Sequence, residues 1–331
     1  MPRPRLSLSL GPTAIGSRAV VELVRRTADL EFAEGWASEV AGPDAMTILG
    51  ALAPGTDMDL GVAVVPVQTR TAFVLAMSAL SLADLTGGRF TLGIGASSPP
   101  LVERFGGIAW DRPLQHVREM ALALRPVLDG ERGSLDGDHV RMGGYRYPAP
   151  APTPVPLFIG SLNRQSLRLT GELADGLCLN QFGPHHLEDM LAEVRTGATA
   201  AGRELPADFP VVARLFVGVT DDVPAMRAVV RQTFAPYIAT PGYNRFYDWM
   251  GYTETAREIA RAARSGDREA MVAAFTDDVV DDLFLLGDAD TVAARIADYT
   301  DAGVTVPALE PLATSLEDAE SALRAIAAAW A

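Results

Sequence analysis

The amino-acid sequence predicts an α/β protein that folds as one (β/α)8 TIM barrel over 1–331, with an insertion between strands seven and eight. Short β-rich runs alternate with amphipathic, Ala- and Leu-rich stretches from end to end, and eight such units can be counted. No shift in composition divides the chain into the two halves that an open doubly wound sheet would show. With 331 residues, of which 48% are hydrophobic and 21% charged, the chain can bury one large core.

The eight predicted strands are short runs in which apolar residues alternate with others or follow one another without interruption. Leucine alternates with serine in the first run, as expected for a strand with two different faces. The third run is almost continuously apolar, which is typical of a parallel strand buried on both faces. In chain order the predicted strands are 6–10, 36–40, 59–66, 90–96, 157–161, 176–180, 211–220 and 304–309.

Helices are expected between these strands, where apolar residues recur at helical spacing. Gly35 should end the first helix, and Asp44 has the residue type and position of an N-cap for the second. Pro99 and Pro100 follow the fourth strand and are expected to prevent an immediate helix, so that a loop comes first. Helices are predicted at 18–33, 71–85 and 112–128, others begin near positions 44, 163 and 184, and a hairpin is expected near 138–142.

The segment between strands seven and eight is far longer than a crossover requires, at about eighty residues. It contains a cluster of aromatic residues followed by helical stretches. We interpret 221–287 as a helical insertion that could form a lid over the barrel mouth. The alternative is an ordinary helical subdomain whose aromatic residues form its own core.

Composition excludes several classes of function. A formal charge of −14 repels phosphate backbones, so a nucleic acid is not expected as a partner. All 28 basic residues are arginine, so the lysine that Schiff-base chemistry or a phosphate-binding P-loop needs is missing. Cys178 is the only cysteine, and the apolar run 6–10 is too short for a signal peptide or a membrane span. We therefore expect a cytoplasmic protein that does not bind membranes.

Functional side chains of such a barrel lie at the carboxyl ends of its strands. Here those ends carry hydroxyls, amides and small residues, which can cradle a phosphate or carboxylate, but few strong acids or bases. No metal site is predicted, because the four histidines show no ligand spacing and the adjacent His185 and His186 should face different directions. This composition favours a cofactor that brings its own reactivity. The strand-end residues are Glu39, Val40, 64–67, Ser97, Ser98, 160–163, 180–182, Arg214 and Glu310.

Four segments in order closely resemble the signature segments of the bacterial luciferase-like family, and GDAD at 287–290 with AGV at 302–304 resembles its C-terminal end, so that the likeness spans nearly the whole chain. The four segments are GVAVVP at 61–66, TGGRFTLGIGASSP at 86–99, PVPLFIGS at 154–161 and GELADG at 171–176. The resemblance implies a β/α barrel with an insertion, a homodimer, and either reduced flavin mononucleotide (FMN) with oxygen or coenzyme F420 as hydride carrier. The LGIGASSP stretch and the following VERFGG at 102–107 are most similar to the F420-dependent branch.

The resemblance also assigns roles to individual positions. Ala63 and Val64 match the place where the family often has a non-proline cis peptide whose bulge backs the deazaflavin ring. Glu39 matches the acidic member of an acid-histidine pair, but Val40 stands where the histidine would be. We therefore expect Glu39, the candidate catalytic residue, mainly to contact the cofactor or substrate. Any proton needed by the substrate would then come from another group or from water. The alternative is that the Glu39 carboxylate only accepts hydrogen bonds from loop amides. The other matched cofactor contacts are Ser97, Ser98, Gly160, Ser161 and Asn180.

The leading hypothesis for function is an oxidoreductase that transfers hydride between coenzyme F420 and a small organic substrate under the insertion. A monooxygenase using reduced FMN and oxygen is the first alternative, and a non-catalytic flavin-binding barrel is the second. Trp110, Tyr145 and Phe182, with the aromatic residues of the insertion, suggest an apolar or ring-bearing substrate, unless they are ordinary core residues.

Overall fold

Eight parallel strands form a closed barrel in the structure, a computed structural model that describes residues 4–11, 15–149 and 153–330. Each strand pairs with the next in chain order, and β12 returns to pair with β1. The predicted (β/α)8 barrel is therefore confirmed. The barrel strands are β1 (Ser7–Ser9), β2 (Glu34–Ala37), β3 (Asp59–Val62), β5 (Phe90–Gly95), β8 (Leu157–Gly160), β9 (Gly176–Asn180), β10 (Val211–Val219) and β12 (Val306–Pro311).

Four further strands extend or flank the barrel: β4 (Val65–Pro66), β6 (Gly133–Asp136), β7 (Arg141–Tyr145) and β11 (Leu285–Gly287). β4 continues the line of β3 and pairs with the end of β5. β6 and β7 form an antiparallel hairpin, which confirms the hairpin expected near 138–142. β11 pairs with the upper part of β10, where the barrel strand extends beyond its neighbours.

Thirteen helices lie outside or above the barrel among the described residues. Asp44 and Asn163 cap α2 and α5 through their side chains, as their positions after strands predicted. None of the described helices is long and apolar enough to cross a membrane. The helices are α1 (Gly16–Arg26), α2 (Ala45–Leu52), α3 (Ala72–Leu85), α4 (Pro113–Leu128), α5 (Arg164–Leu173), α6 (Leu187–Ala200), α7 (Val223–Ile238), α8 (Pro241–Trp249), α9 (Thr253–Ser265), α10 (Arg268–Ala273), α11 (Asp277–Leu283), α12 (Ala289–Ala302) and α13 (Leu316–Trp330).

Two sequence-based expectations about helices are wrong. The helix predicted at 18–33 ends at Arg26, because Thr27 turns the chain into a short 3-10 segment. The loop expected after Pro99 and Pro100 is instead a π-helical turn, Pro100–Phe105. A proline in the first turn of a helix loses no hydrogen bond, since the N–H groups there have no intrahelical partner.

The core has two layers, one outside the barrel wall and one inside it, because successive residues of a strand point to opposite faces. Residues such as Leu8, Ile94 and Leu177 face outward into the large cluster between barrel and helices. The alternate residues face the barrel axis and form a smaller cluster with a stacked aromatic pair at its centre, Trp36 and Phe158, whose ring centroids are 5.6 Å apart. The remaining members of this inner cluster are Cys178, Val212, Val306 and Ala308, against which Ala63 and Val64 pack.

The segment 221–287, which follows β10 and ends with β11, contains the five helices α7 to α11. Many of its aromatic side chains pack on one another and on the barrel, within the same large cluster; for example, Phe234 lies 4.7 Å from both Phe216 on β10 and Phe284, measured between ring centroids. Tyr247 is fully buried and packs on Phe275. Much of the aromatic cluster is therefore core that joins the segment 221–287 to the barrel.

Candidate active site

Val64 closes the inner core at the carboxyl end of the barrel. The Ala63–Val64 peptide bond is cis, the geometry that the resemblance led us to expect at this position. The Val64 side chain lies directly over Gly95 and Gly160, where an added methyl group would lie 2.4 and 3.0 Å from its γ carbons, closer than ordinary contact. Two glycines on neighbouring strands therefore make the space that the Val64 bulge occupies, above Trp36 and Phe158.

Residues after β2 donate hydrogen bonds to both carbonyl groups of the bulge, which consists of Ala63 and Val64. Ser38 Oγ donates a hydrogen bond to Ala63 O at 2.8 Å, and Glu39 N donates to Val64 O at 3.2 Å. Ser38 is buried. Sequence reasoning missed Ser38 as a site residue, although its position between the predicted second strand and Glu39 could have indicated it.

The Glu39 carboxylate lies beside the bulge and is held by an arginine. Glu39 Oε1 is 2.6 Å from Arg70 Nη1, and Oε2 accepts from Ala45 N at 3.4 Å. Arg70 also binds the carboxylate of Asp44, the cap of α2. These contacts fix the position of Glu39 and use both of its carboxylate oxygens.

The turn after β5 combines a fixed carbonyl group with two unpartnered polar atoms. Ala96 O accepts from Gln68 Nε2 at 3.0 Å and from the indole nitrogen of Trp110 at 2.9 Å. Ser97 then adopts a left-handed backbone conformation, with φ of 57°. Its Oγ and Gln68 Oε1 are buried and have no hydrogen-bond partner among the described residues. Buried polar atoms without partners are rare in proteins, so this turn is suited to a ligand that supplies them.

Ser98 and Ser161, two other predicted contacts, already have partners inside the protein. Ser98 O accepts from two amides of the π-helical turn, Leu101 N and Val102 N. Ser161 Oγ lies 2.9 Å from Thr170 Oγ1 on α5, and its amide bonds to Cys178 O. Ser161 is almost fully buried, so its hydroxyl is directed towards the helix layer and shapes the wall of the mouth.

The end of β9 meets the helical segment. The phenol oxygen of Tyr243, on α8, lies 3.2 Å from Asn180 Nδ2 and 3.3 Å from Asn180 Oδ1. The next residue, Gln181, accepts from Tyr247 at 3.0 Å. Phe182 is core, packed edge-on against Tyr299. Burial raises the pKa of the Tyr243 and Tyr247 phenols, which therefore remain protonated donors.

The opposite side of the mouth, formed by β1, β10 and β12, carries charge. Arg214 Nη2 lies 3.3 Å from Glu310 Oε1 in a buried ion pair. Arg214 also stacks on the Phe216 ring, 4.7 Å from its centroid. Ser9 is buried beside them, and its Oγ has no partner among the described residues. The strand-end positions of Arg214 and Glu310 were visible in the sequence, but their pairing depends on barrel closure.

Contrary to expectation, His185 and His186 do not face different directions. They lie in a 3-10 turn, their ring centroids are 3.9 Å apart, and ligand atoms of both lie within 4.8 Å of Asp282. His186 already uses both ring nitrogens, with Gly183 and with Met250 O. His116 and His139 stack at the hairpin, away from the mouth. We find no observation that assigns a metal to either pair.

The mouth therefore combines polar atoms after β5 that have no partner among the described residues, a partly buried bulge at its floor and a largely buried ion pair on the far side. The uncharged polar groups and backbone amides suit the tail and ring edge of a flavin-type cofactor. The residues present thus fit the cofactor class expected from the sequence.

Comparison with known proteins gives consistent results. Residues 4–306 match the family described as luciferase-like monooxygenase. The chain is 30% identical over 280 residues to a 5,10-methylenetetrahydromethanopterin reductase of Methanolobus tindarius, which covers 83% of this chain and 85% of the reductase. A Mycobacterium tuberculosis protein, provisionally named a coenzyme F420-dependent oxidoreductase, is 30% identical over 306 residues, 86% of this chain and 88% of that one. The solved coenzyme F420-dependent tetrahydromethanopterin reductase of Methanopyrus kandleri superposes with a TM-score of 0.80 at 22% identity, covering 98% and 97% of the two chains.

Proposed function

We propose, from the premise that this chain belongs to the luciferase-like monooxygenase family, that it is an oxidoreductase which transfers hydride between coenzyme F420 and a small organic substrate. The single observation that carries the proposal is the pair of buried, unpartnered polar atoms at Ser97 and Gln68, beside the Val64 bulge. The family membership makes the chain an enzyme. The names of the Mycobacterium tuberculosis and Methanopyrus kandleri relatives support F420 as its coenzyme.

The coenzyme contacts that we propose line the β3, β5, β8 and β9 side of the mouth. Ala63 and Val64 would lie against the ring, and Ser97, whose hydroxyl has no partner within the described part of the chain, would bind the tail or ring edge. Glu39, held by Arg70, would contact the coenzyme or substrate. The remaining proposed contacts are Ser98, Gly160 and Asn180, with Ser161 contributing as part of the wall of the mouth, since its hydroxyl is turned towards α5.

F420 supplies a hydride carrier when bound, and the protein supplies position and exclusion of water. Ser38 and Glu39 fix the bulge through its two carbonyl groups. Tyr243 and Tyr247 hold α8 at the end of β9. We propose that the segment 221–287 acts as the lid over the substrate, with α8 as its contact with the barrel.

A monooxygenase that uses reduced FMN and oxygen is the alternative, supported by the description of the matching family. A flavin-binding barrel without turnover is the second alternative, because Val40 replaces the histidine expected beside Glu39. Both alternatives would use the same mouth. They differ in which cofactor the protein prefers and in whether it turns over a substrate.

Equilibrium titration of the purified apoprotein with F420 and with FMN tests the proposal. We expect F420 to bind at least about tenfold more tightly, a difference of about 1.4 kcal/mol. Preference for FMN would replace the proposal by its first alternative. Turnover of any carbonyl or alcohol substrate by the F420-loaded protein would exclude the second.

We further propose that the protein is a cytoplasmic homodimer. The lone cysteine, Cys178, is buried and free, so the chain needs no oxidising compartment. Sedimentation analysis of the purified protein tests the dimer, since a monomer's mass would be 35.1 kDa.

A further inference from the structure

The Arg214–Glu310 pair lies inside the barrel, on the side of the mouth that the proposed coenzyme contacts leave free. Val212 and Ala308 belong to the inner cluster, and the next inward-facing residues on β10 and β12 are Arg214 and Glu310. The two side chains therefore point to the barrel axis directly above the core. The bulge at Val64 lies between β3 and β4, on the other side of the barrel.

This ion pair is incompletely satisfied. Glu310 is 4% exposed, and its Oε2 has no hydrogen-bond partner among the described residues. Arg214 Nε and Ser9 Oγ are buried and unpartnered in the same way. A buried ion pair that served stability alone would need its remaining donors and acceptors satisfied, because desolvation of both charges is costly. Three buried polar atoms without partners among the described residues, on the adjacent strands β1, β10 and β12, therefore indicate a ligand group that bonds to them.

Gly11 leaves room for the charged groups. A Cβ at this position would lie 2.7 Å from Glu310 Oε2 and 2.5 Å from Arg214 Nη2, closer than real contacts allow. The backbone after β1 therefore approaches both groups closely only because residue 11 is glycine.

The three groups can all form hydrogen bonds to an oxygen atom of a substrate. A carboxyl group can donate or accept, a guanidinium can only donate and a serine hydroxyl can do both. Such a set binds a carbonyl oxygen, which accepts, and equally the hydroxyl group formed by its reduction. Glu39, the other carboxylate of the mouth, has both oxygens engaged by Arg70 and Ala45, so it is less suited to proton exchange.

We propose that Glu310 Oε2 exchanges a proton with the carbonyl or hydroxyl oxygen of the substrate, and that Arg214 is a positioning residue for that carboxyl group. The inference rests on the proposed function, in which bound deazaflavin is the hydride donor or acceptor. In alcohol oxidation the carboxylate of Glu310, paired with Arg214, accepts the proton of the substrate hydroxyl while the carbon gives up hydride and the C–O bond becomes C=O. Glu310 then releases that proton to water. Ketone reduction runs through the same steps in reverse: Glu310 first takes a proton from water, and the substrate oxygen receives it as the carbon gains hydride.

Infrared spectroscopy of bound cyclohexanone, labelled with carbon-13 at its carbonyl, tests the proposal without relying on turnover. We expect the carbonyl stretch of the bound ketone to shift from its position in water in the wild type. The band should move back towards its position in water in Glu310→Gln, because an amide is a weaker donor than a carboxyl group, and more completely in Glu310→Leu/Arg214→Leu, which removes both charges and leaves no unpaired arginine. Glu119→Gln is the matched control, because Glu119 is an equally buried carboxylate that binds the hairpin.

Kinetics with cyclohexanone and reduced F420 provide the second measurement. Glu310→Gln should lower kcat at least about 100-fold, with the dissociation constant of the coenzyme changed less than about twofold. An unchanged carbonyl band in Glu310→Gln, no bound ketone in the wild type, or a loss of kcat below about threefold would overturn the proposal. The spectra are recorded with and without coenzyme. Failure of F420 to bind would therefore count against the proposed function. The carbonyl band of the bound ketone, in contrast, tests only the role of Glu310.

Discussion

Tyr243, on a helix outside the barrel, contacts both polar atoms of the Asn180 side chain at the end of β9, at 3.2 and 3.3 Å. Tyr247, one helical turn further along α8, contacts the neighbouring Gln181. The helical segment is thereby attached to the barrel mouth at a position where a cofactor contact is proposed. Changes in this segment should therefore affect binding in the mouth.

Tyr243→Phe removes the hydroxyl group that orients the Asn180 amide. We expect the dissociation constant of F420 to rise about fivefold, which corresponds to about one hydrogen bond. Fluorescence titration measures it. Tyr237→Phe is the matched control, since Tyr237 packs on Tyr243 but no hydrogen bond of its hydroxyl is found among the described residues. Equal effects of the two substitutions would contradict a specific role for the Tyr243 hydroxyl.

Ser97→Ala should separate stability from binding. Its hydroxyl is buried without a partner, so its removal should leave the free energy of unfolding of the apoprotein unchanged or raise it by up to about 1 kcal/mol. The affinity for F420 should fall about tenfold, because the bound coenzyme loses a hydrogen bond to a buried group. Urea unfolding and coenzyme titration measure the two effects. A loss of stability with unchanged affinity would show that Ser97 is only structural.

Gly95→Ala places a methyl group where Val64 lies. Overpacking of this kind typically costs about 1–3 kcal/mol, and we expect urea unfolding to show a loss in this range. Displacement of Val64 should also weaken F420 binding. Gly50→Ala on α2 is the control: nothing lies within 4 Å of its Cβ position, so it should stabilise the protein by about 0.5–1 kcal/mol. An unaltered unfolding curve for Gly95→Ala would contradict the packing described for the bulge.

The carboxylate of Glu119 should make the protein sensitive to acid. Burial alone would raise the pKa of Glu119, but hydrogen bonds from Gln115 and from the backbone amides of Asp138, His139 and Val140 outweigh it and lower the pKa from 4.5 to about 2. The stabilisation is therefore complete above pH 4.5 and is lost as the pH falls from 4.5 towards 2.

Glu119→Gln should cost about 2 kcal/mol at pH 6, since it removes hydrogen bonds to a charged group. Its stability should then fall less than that of the wild type between pH 5 and pH 3. Urea unfolding at several pH values measures the difference. Parallel pH dependence in the two proteins would show that other groups cause the acid sensitivity.

The sequence was sufficient to predict the barrel, because each strand and helix has a local pattern. The predicted sixth strand, 176–180, agrees with β9 at both ends, since Gly176 and Asn180 bound an apolar run. The strand 59–66 was predicted as continuous. In the structure the bulge at Ala63 and Val64 divides it into β3 and β4. Local hydrophobicity does not record such an interruption.

The site was less predictable, because its contacts join residues far apart in the chain. Gln68 and Trp110 bind the same carbonyl group, at Ala96, and neither has a motif of its own. The pairing of Arg214 with Glu310 requires closure of the barrel between β10 and β12. The sequence could place these residues at strand ends but not show which of them face one another.

A crystal structure of the protein with F420 would test the central claim most directly. We predict that the deazaflavin ring lies against Val64, with Ser97 Oγ within hydrogen-bonding distance of the coenzyme and the Glu310 side of the mouth left open for substrate. Coenzyme bound elsewhere, or a mouth in which Ser97 and Gln68 are satisfied by the protein while F420 is absent from the barrel, would contradict it.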